Sequence, residues 1–200
     1  MKTFTIIVTA LAAATLGRAA AIPSANTTVE TRDTTGTSAS SSTDPAFIQS
    51  ILNAHNEYRA IHGGASVTWD ATKAQYAQNY AEQCTWAHSG GPYGENLAIG
   101  GFDNPEYYVW MWYNEREAYT DYSSPDFNGF ESWGHFTQTV WSSTASIGCG
   151  FVTTCDNLGD FGPYFLVCEY DTGNVLPSNY FVSNVLAPKS GVPAAPAQFV

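Results

Sequence analysis

SIGCGFVTT at residues 146–154 and PYFLVCEY at residues 163–170 enclose CDNLGDFG, and the contrast between the three pieces decides the fold. The outer two are short, carry Ile, Val, Phe and Tyr, and are bounded by glycine or proline, the composition of strands that fit a pleated, half-buried surface. The middle piece supplies Asp, Asn and Gly, which turn a chain. A hairpin of two antiparallel strands is therefore expected. Upstream the period changes to that of a helix. Asp44-Pro45 is a start signal, a carboxylate to cap free amides followed by a proline already at helical φ. Phe47, Ile48, Ile51, Leu52, His55 and Tyr58 recur at helical spacing until His62-Gly63-Gly64 closes the segment. Asp70 caps a second helix running to about Cys84, Asn104-Pro105 opens a third reaching about Tyr119, and a shorter one follows Gly134. Helices first and strands later, without β-α-β alternation, imply an α+β domain with helices packed on an antiparallel sheet.

The ends of the chain read differently. Lys2 precedes an apolar run from Phe4 to Leu16, and Ala19, Ala20 and Ala21 follow, the pattern of a secretory signal peptide over residues 1–21. No other stretch approaches the roughly 20 apolar residues of a membrane helix. The expected mature protein is secreted and extracellular, without stable membrane insertion. Residues 22–44 are rich in Ser and Thr and too poor in large apolar side chains to offset chain entropy, so a disordered linker is expected there. Asn26-Thr27-Thr28 is an N-glycosylation sequon, with Asn26 as acceptor. Residues 45–188 then form one domain, and residues 189–200 a flexible tail. Loss of Lys2 and Arg18 with the leader takes the formal charge from -11 to -13, which disfavours phosphate backbones, and hence nucleic acid, as partners. Four cysteines in an exported chain suggest two disulfides, for which three pairings are open.

Two further stretches, GHFTQTVWSST at 134–144 and FLVCEYDTGNV at 165–175, resemble the fingerprints of the CAP superfamily, the cysteine-rich secretory, antigen 5 and pathogenesis-related 1 proteins. The likeness extends over residues 46–184. His55, Asn56 and Arg59 match an H-N-x-x-R helix motif, Gly94-Glu95-Asn96-Leu97 a recurrent tetrapeptide, and Trp112, Glu115 and Tyr119 a third helical motif. HSGGPYGEN and YSSPDF look closest to the fungal secreted branch. The resemblance implies an α-β-α sandwich with a small antiparallel sheet between helical layers. It also implies disulfides Cys84 to Cys155 and Cys149 to Cys168. Glu169 and Thr172 depart from the pattern, Glu169 standing where many members carry Asn, and neither is expected to touch the cavity residues.

Those cavity residues, carried over by resemblance, are His88 and Glu95 on the loop after the second helix, Glu115 on the third helix and His135. Two imidazoles and two carboxylates suit a divalent cation not required for the fold: zinc if both histidines bind directly, magnesium if they hold it through water. The competing reading is a hydrogen-bonded network that fastens the loop.

From Tyr119 to Trp133 five aromatics are interleaved with Ser, Pro, Asp, Asn and Gly, so neither a regular helix nor a strand buries them on one face. The segment resembles a sterol-binding loop of fungal CAP proteins, with Tyr122, Pro125 and Phe127 matching and Thr120 standing where an aromatic is usual. An exposed apolar patch and a lid folded over the core are the two readings. The resemblance implies binding and export of sterols and sterol esters, with fatty acids second. Metal-dependent proteolysis, proposed for parts of this family, is the enzyme alternative. The chain lacks H-E-x-x-H and G-x-S-x-G, so a non-enzymatic role is expected. A scaffold presenting loops to a host protein is the third possibility, and the oligomeric state is left open.

Overall fold

The computed structural model describes residues 41–175 and 177–191. The expected leader, the Asn26 sequon, the linker as far as residue 40 and the tail beyond residue 191 lie outside the described residues. Helix α1 spans Pro45–Ile61, and Asp44 caps it by accepting from the Ala46 amide. Its buried stripe is Phe47, Ile51, Ala54, His55, Tyr58 and Ile61, and Gly63 ends it at φ 76°, a conformation that favours glycine. The packed chain starts earlier than Pro45: Ser42 is buried, and the Ser41 hydroxyl exchanges hydrogen bonds with both backbone groups of Phe151.

Strand β1 is the pair Thr68–Trp69, and α2 spans Ala71–Ala81, capped by Asp70 accepting from Thr72 and Lys73 amides. This helix ends short of the expected Cys84, because Cys84 takes φ 48° and is tied to Cys155. Strand β2, Gly94–Gly100, arises where a loop was expected, so Glu95 sits on a strand. Helix α3 spans Pro105–Asn114 and continues as a 3-10 turn, Glu115–Ala118, rather than running as α-helix to Tyr119. A second 3-10 segment, Phe127–Ser132, leads into α4, Gly134–Val140. Strands β3, Ser146–Val152, and β4, Tyr164–Tyr170, form the expected hairpin, and α5, Phe181–Asn184, follows.

The strand order is β1-β3-β4-β2. β2, β4 and β3 are antiparallel neighbours, whereas β1 pairs with β3 in parallel, so the sheet is mixed at one edge. Alternation along β4 sorts the two faces: Leu166, Cys168 and Tyr170 join the core of α1, α3 and α4, while Phe165 and Val167 pack with Ala77 and Ala81 of α2. The sheet therefore lies between helical layers. α2 lies almost on β3, because a Cβ at Gly148 would meet the Ala74 amide nitrogen and one at Gly150 the Gln78 backbone.

Disulfides join Cys84 to Cys155 and Cys149 to Cys168, the second between directly opposed residues of β3 and β4. The H-N-x-x-R residues are structural. His55 bridges the Ile51 carbonyl and the Tyr170 hydroxyl, and Asn56 pairs with both backbone groups of Val67. Arg59 is fully buried and donates to the carbonyls of Ala65, Trp141 and Thr144 at 2.8, 2.7 and 2.9 Å, setting the turn from α4 into β3.

Candidate functional site

The four residues of the expected cation set form two hydrogen-bonded histidine–carboxylate pairs. Glu115, at the end of α3, accepts on Oε2 from the His135 and Phe136 amides at 3.0 and 3.2 Å, and on Oε1 from His135 Nδ1 at 2.6 Å. It thus satisfies free amides at the start of α4, in the manner of an N-cap, and fixes the imidazole. Glu95 accepts on Oε1 from His88 Nδ1 at 2.7 Å and from the Ser89 amide at 2.9 Å. The Glu95 side chain is 6% exposed and that of His88 66%, so a buried carboxylate holds an open imidazole.

Burial by itself would raise the Glu95 carboxyl, but hydrogen bonds from His88, Ser89 and Glu169 outweigh it and hold the carboxyl below its ordinary range. The same hydrogen bond raises His88. Glu169, one residue past Cys168, is the cross-strand partner of Glu95 and fully buried. Its two oxygens and Glu95 Oε2 meet no ordinary donor among the described residues. Burial, then the neighbouring Glu95, push Glu169 up to about 9. It therefore keeps its proton at neutral pH and donates it to Glu95, which gives a partner to Glu95 and to one of the two Glu169 oxygens. The expectation that Glu169 lies clear of the cavity set is corrected: register places it directly behind Glu95. Thr172 acts through its backbone, its carbonyl accepting from Gln138 and Thr144.

His88, Glu95 and His135 line one cavity of about 510 Å³, with Tyr93, Asn96, Phe130, Glu131 and Asn174. Glu115 stands behind His135, outside that lining. Among the described residues no group of three or more His, Cys, Asp or Glu side chains gathers at metal-holding distance. Both histidines commit Nδ1 to a carboxylate and have no partner for Nε2 among the described residues. A carboxylate behind each imidazole is the arrangement that orients metal-ligating histidines, so the donor types fit a cation held by two Nε2 atoms plus water.

The aromatic segment is partly core and partly surface. Tyr119 is buried against Trp133 and Tyr122, each ring centroid 5.0 Å away. Tyr122 is half-buried between Tyr119 and His62. Pro125 is also half-buried. A 3-10 period of three then aligns Phe127, Phe130 and Trp133 on one side, the regularity that alternation alone hid. Trp133 is buried, whereas Phe127 and Phe130 remain 39% and 37% exposed, with Phe127 edge-on to Phe181 and Phe130 walling the cavity.

A sheet between helical layers, two disulfides and this His/Glu cavity define a class of cysteine-rich secretory domain. The family model described as CAP, the cysteine-rich secretory protein family, matches residues 52–170, and the chain belongs to that family. It is 47% identical to protein PRY2 of Saccharomyces cerevisiae over 146 residues, 70% of this chain and 41% of that protein. It is 40% identical to secreted protein RBT4 of Candida albicans over 158 residues, 73% of this chain and 42% of that one. The chain thus spans less than half the length of these two relatives. The solved structure of BmVAL-1 superposes with a TM-score of 0.56 at 23% identity, covering 66% of this chain and 80% of that one, a likeness of fold.

Proposed function

We propose that this protein is exported and binds small hydrophobic molecules outside the cell, sterols and sterol esters first and fatty acids second, carrying them without chemical change. The observation that supports this best is the position of Phe127 and Phe130, half-open rings on one side of a 3-10 turn, the second of them bordering the 510 Å³ cavity. Large apolar rings left open beside a cavity of this size are what a small-molecule site requires. Tyr122, Pro125 and Phe127 form the binding loop in this reading, with Tyr122 bracing it from beneath. Export accords with the leader-like residues 1–21, the two disulfides and the name of the secreted relative RBT4.

A divalent cation, zinc or magnesium, would be held by His88 and His135 through Nε2, with Glu95 and Glu115 orienting the rings. When bound it would supply positive charge to a cavity whose own carboxylates are negative. Lipid extraction from the protein purified out of culture medium, followed by mass spectrometry, tests the carrier reading. Co-purified sterol or acyl chains at near-stoichiometric amounts are expected, and protein free of lipid that hydrolyses peptides only with added zinc would overturn it.

A further inference from the structure

We propose that His62 gates ligand exchange at the aromatic loop, holding Tyr122 in place while neutral and releasing it in acid; the proposal rests on the carrier reading above. His62 caps the C-terminus of α1 and is buried. Both of its ring nitrogens are engaged. The Leu186 carbonyl lies 2.6 Å from Nδ1 and can only accept, so Nδ1 carries the proton, and Nε2 accepts from the Tyr113 hydroxyl at 3.2 Å. The rings of Tyr113, Phe136 and Tyr122 enclose the imidazole, with centroids 5.8, 5.3 and 6.1 Å away. Tyr113 and Phe136 are fully buried on α3 and α4, whereas Tyr122 is half-buried on the loop. Of these three walls, Tyr122 is the one that can give.

A second proton on the ring disturbs only that side. The Leu186 bond survives it, but a proton on Nε2 meets the hydrogen of the Tyr113 hydroxyl, which then has to turn away. No carboxylate is hydrogen-bonded to the ring among the described residues. The 3-10 turn after α3 presents Arg116, whose guanidinium lies 4.8 Å above the Tyr113 ring. Glu57 and Glu117 bear on Tyr113, and the Lys189 side chain lies against Gly63. On the loop, Asp121 spends its carboxylate on Ser123 and Ser124. Burial, opposed by the Leu186 hydrogen bond and aided by Arg116, holds the His62 ring below the ordinary 6.5. With Tyr122 lifted the ring meets water and takes its proton normally. The closed loop therefore keeps its full advantage above pH 6.5 and loses it as the pH falls below that value, because the open form binds a proton that the closed form refuses. Opening of the loop, and with it ligand exchange, becomes more frequent in acid.

Amide hydrogen exchange of the full-length exported protein without ligand, read at pH 7 and pH 5 and corrected for the intrinsic rate, tests the gate. Protection of residues 119–133 is expected to fall about tenfold relative to α2 at the lower pH. It should stay level in His62→Gln, which keeps a donor and an acceptor but takes no charge. Proton NMR titration of the His62 ring in the native protein needs no variant, and a midpoint below 6.5 is expected. Loss of bound radiolabelled ergosterol into excess unlabelled sterol should quicken about tenfold between pH 7 and pH 5. Unchanged protection in the native protein, an equal fall in His62→Gln, a ring midpoint at or above 6.5, or ergosterol exchange indifferent to pH each overturns the proposal. Protection that falls as expected in a protein that binds no ergosterol supports the acid-opened loop and overturns the carrier reading instead.

Discussion

Glu95 and Glu169 face each other across the antiparallel pair β2 and β4, and the two carboxyls share one proton behind the His88 imidazole. Holding two buried carboxyls so close is tolerable only while one stays neutral. The arrangement makes the cavity floor depend on a proton, with a sign that can be worked out. Glu169 is raised from 4.5 to about 9 on folding. Its contribution to stability is complete below about pH 4.5, declines as the unfolded chain releases the proton, and is gone above about 9. Melting temperature should fall between pH 7 and pH 9 in the native protein, and Glu169→Gln, which keeps a donor toward Glu95, should flatten that slope. Thermal unfolding followed by circular dichroism at three pH values in this range checks it.

His55 imposes the opposite slope at lower pH. Burial, aided by the nearby Arg59 charge and opposed by the hydrogen bond to Ile51, lowers the ring from 6.5 to about 4. Below pH 6.5 the unfolded chain takes a proton that the folded ring refuses until about 4, so stability present above 6.5 is lost through that window. His55→Gln should lose less stability than the native protein between pH 6.5 and pH 4, whatever its absolute melting temperature, as read by urea unfolding across that range.

Gly150→Ala should destabilise the domain by about 3 kcal/mol, because the new methyl meets the backbone of Gln78 in α2, which cannot move aside as a flexible side chain would. Urea unfolding of the disulfide-intact protein measures this, and the neighbouring Gly148→Ala should behave alike.

Arg59→Met should cost about 3 kcal/mol or more, since the carbonyls of Ala65, Trp141 and Thr144 lose their buried donor together. The α4–β3 turn should then exchange its amides faster than α2 does, a contrast that hydrogen exchange detects.

The first helix was legible because its signals are local: Asp44-Pro45, an apolar stripe and Gly63 each act within one turn. The hairpin was legible for the same reason. β2 was not, since Gly94–Gly100 follows a run of Ser, Gly and Pro and acquires strand character only by pairing with β4. Glu169 was visible as a departure in a strand, but its contact with Glu95 depends on register, which periodicity does not supply. The early end of α3 comes from Glu115 turning to cap α4, a contact 20 residues along the chain. Individual His and Glu residues could be placed by resemblance, whereas their division into two pairs required geometry.

Equilibrium binding of radiolabelled ergosterol to the full-length protein, native and Phe127→Ala, measures the central claim most directly. Saturable binding in the micromolar range or tighter is expected after the costs of association. Loss of the half-open ring should weaken it about tenfold, corresponding to roughly 1.4 kcal/mol, with melting temperature unchanged. Absence of saturable binding, or affinity identical in the two proteins, would contradict the account.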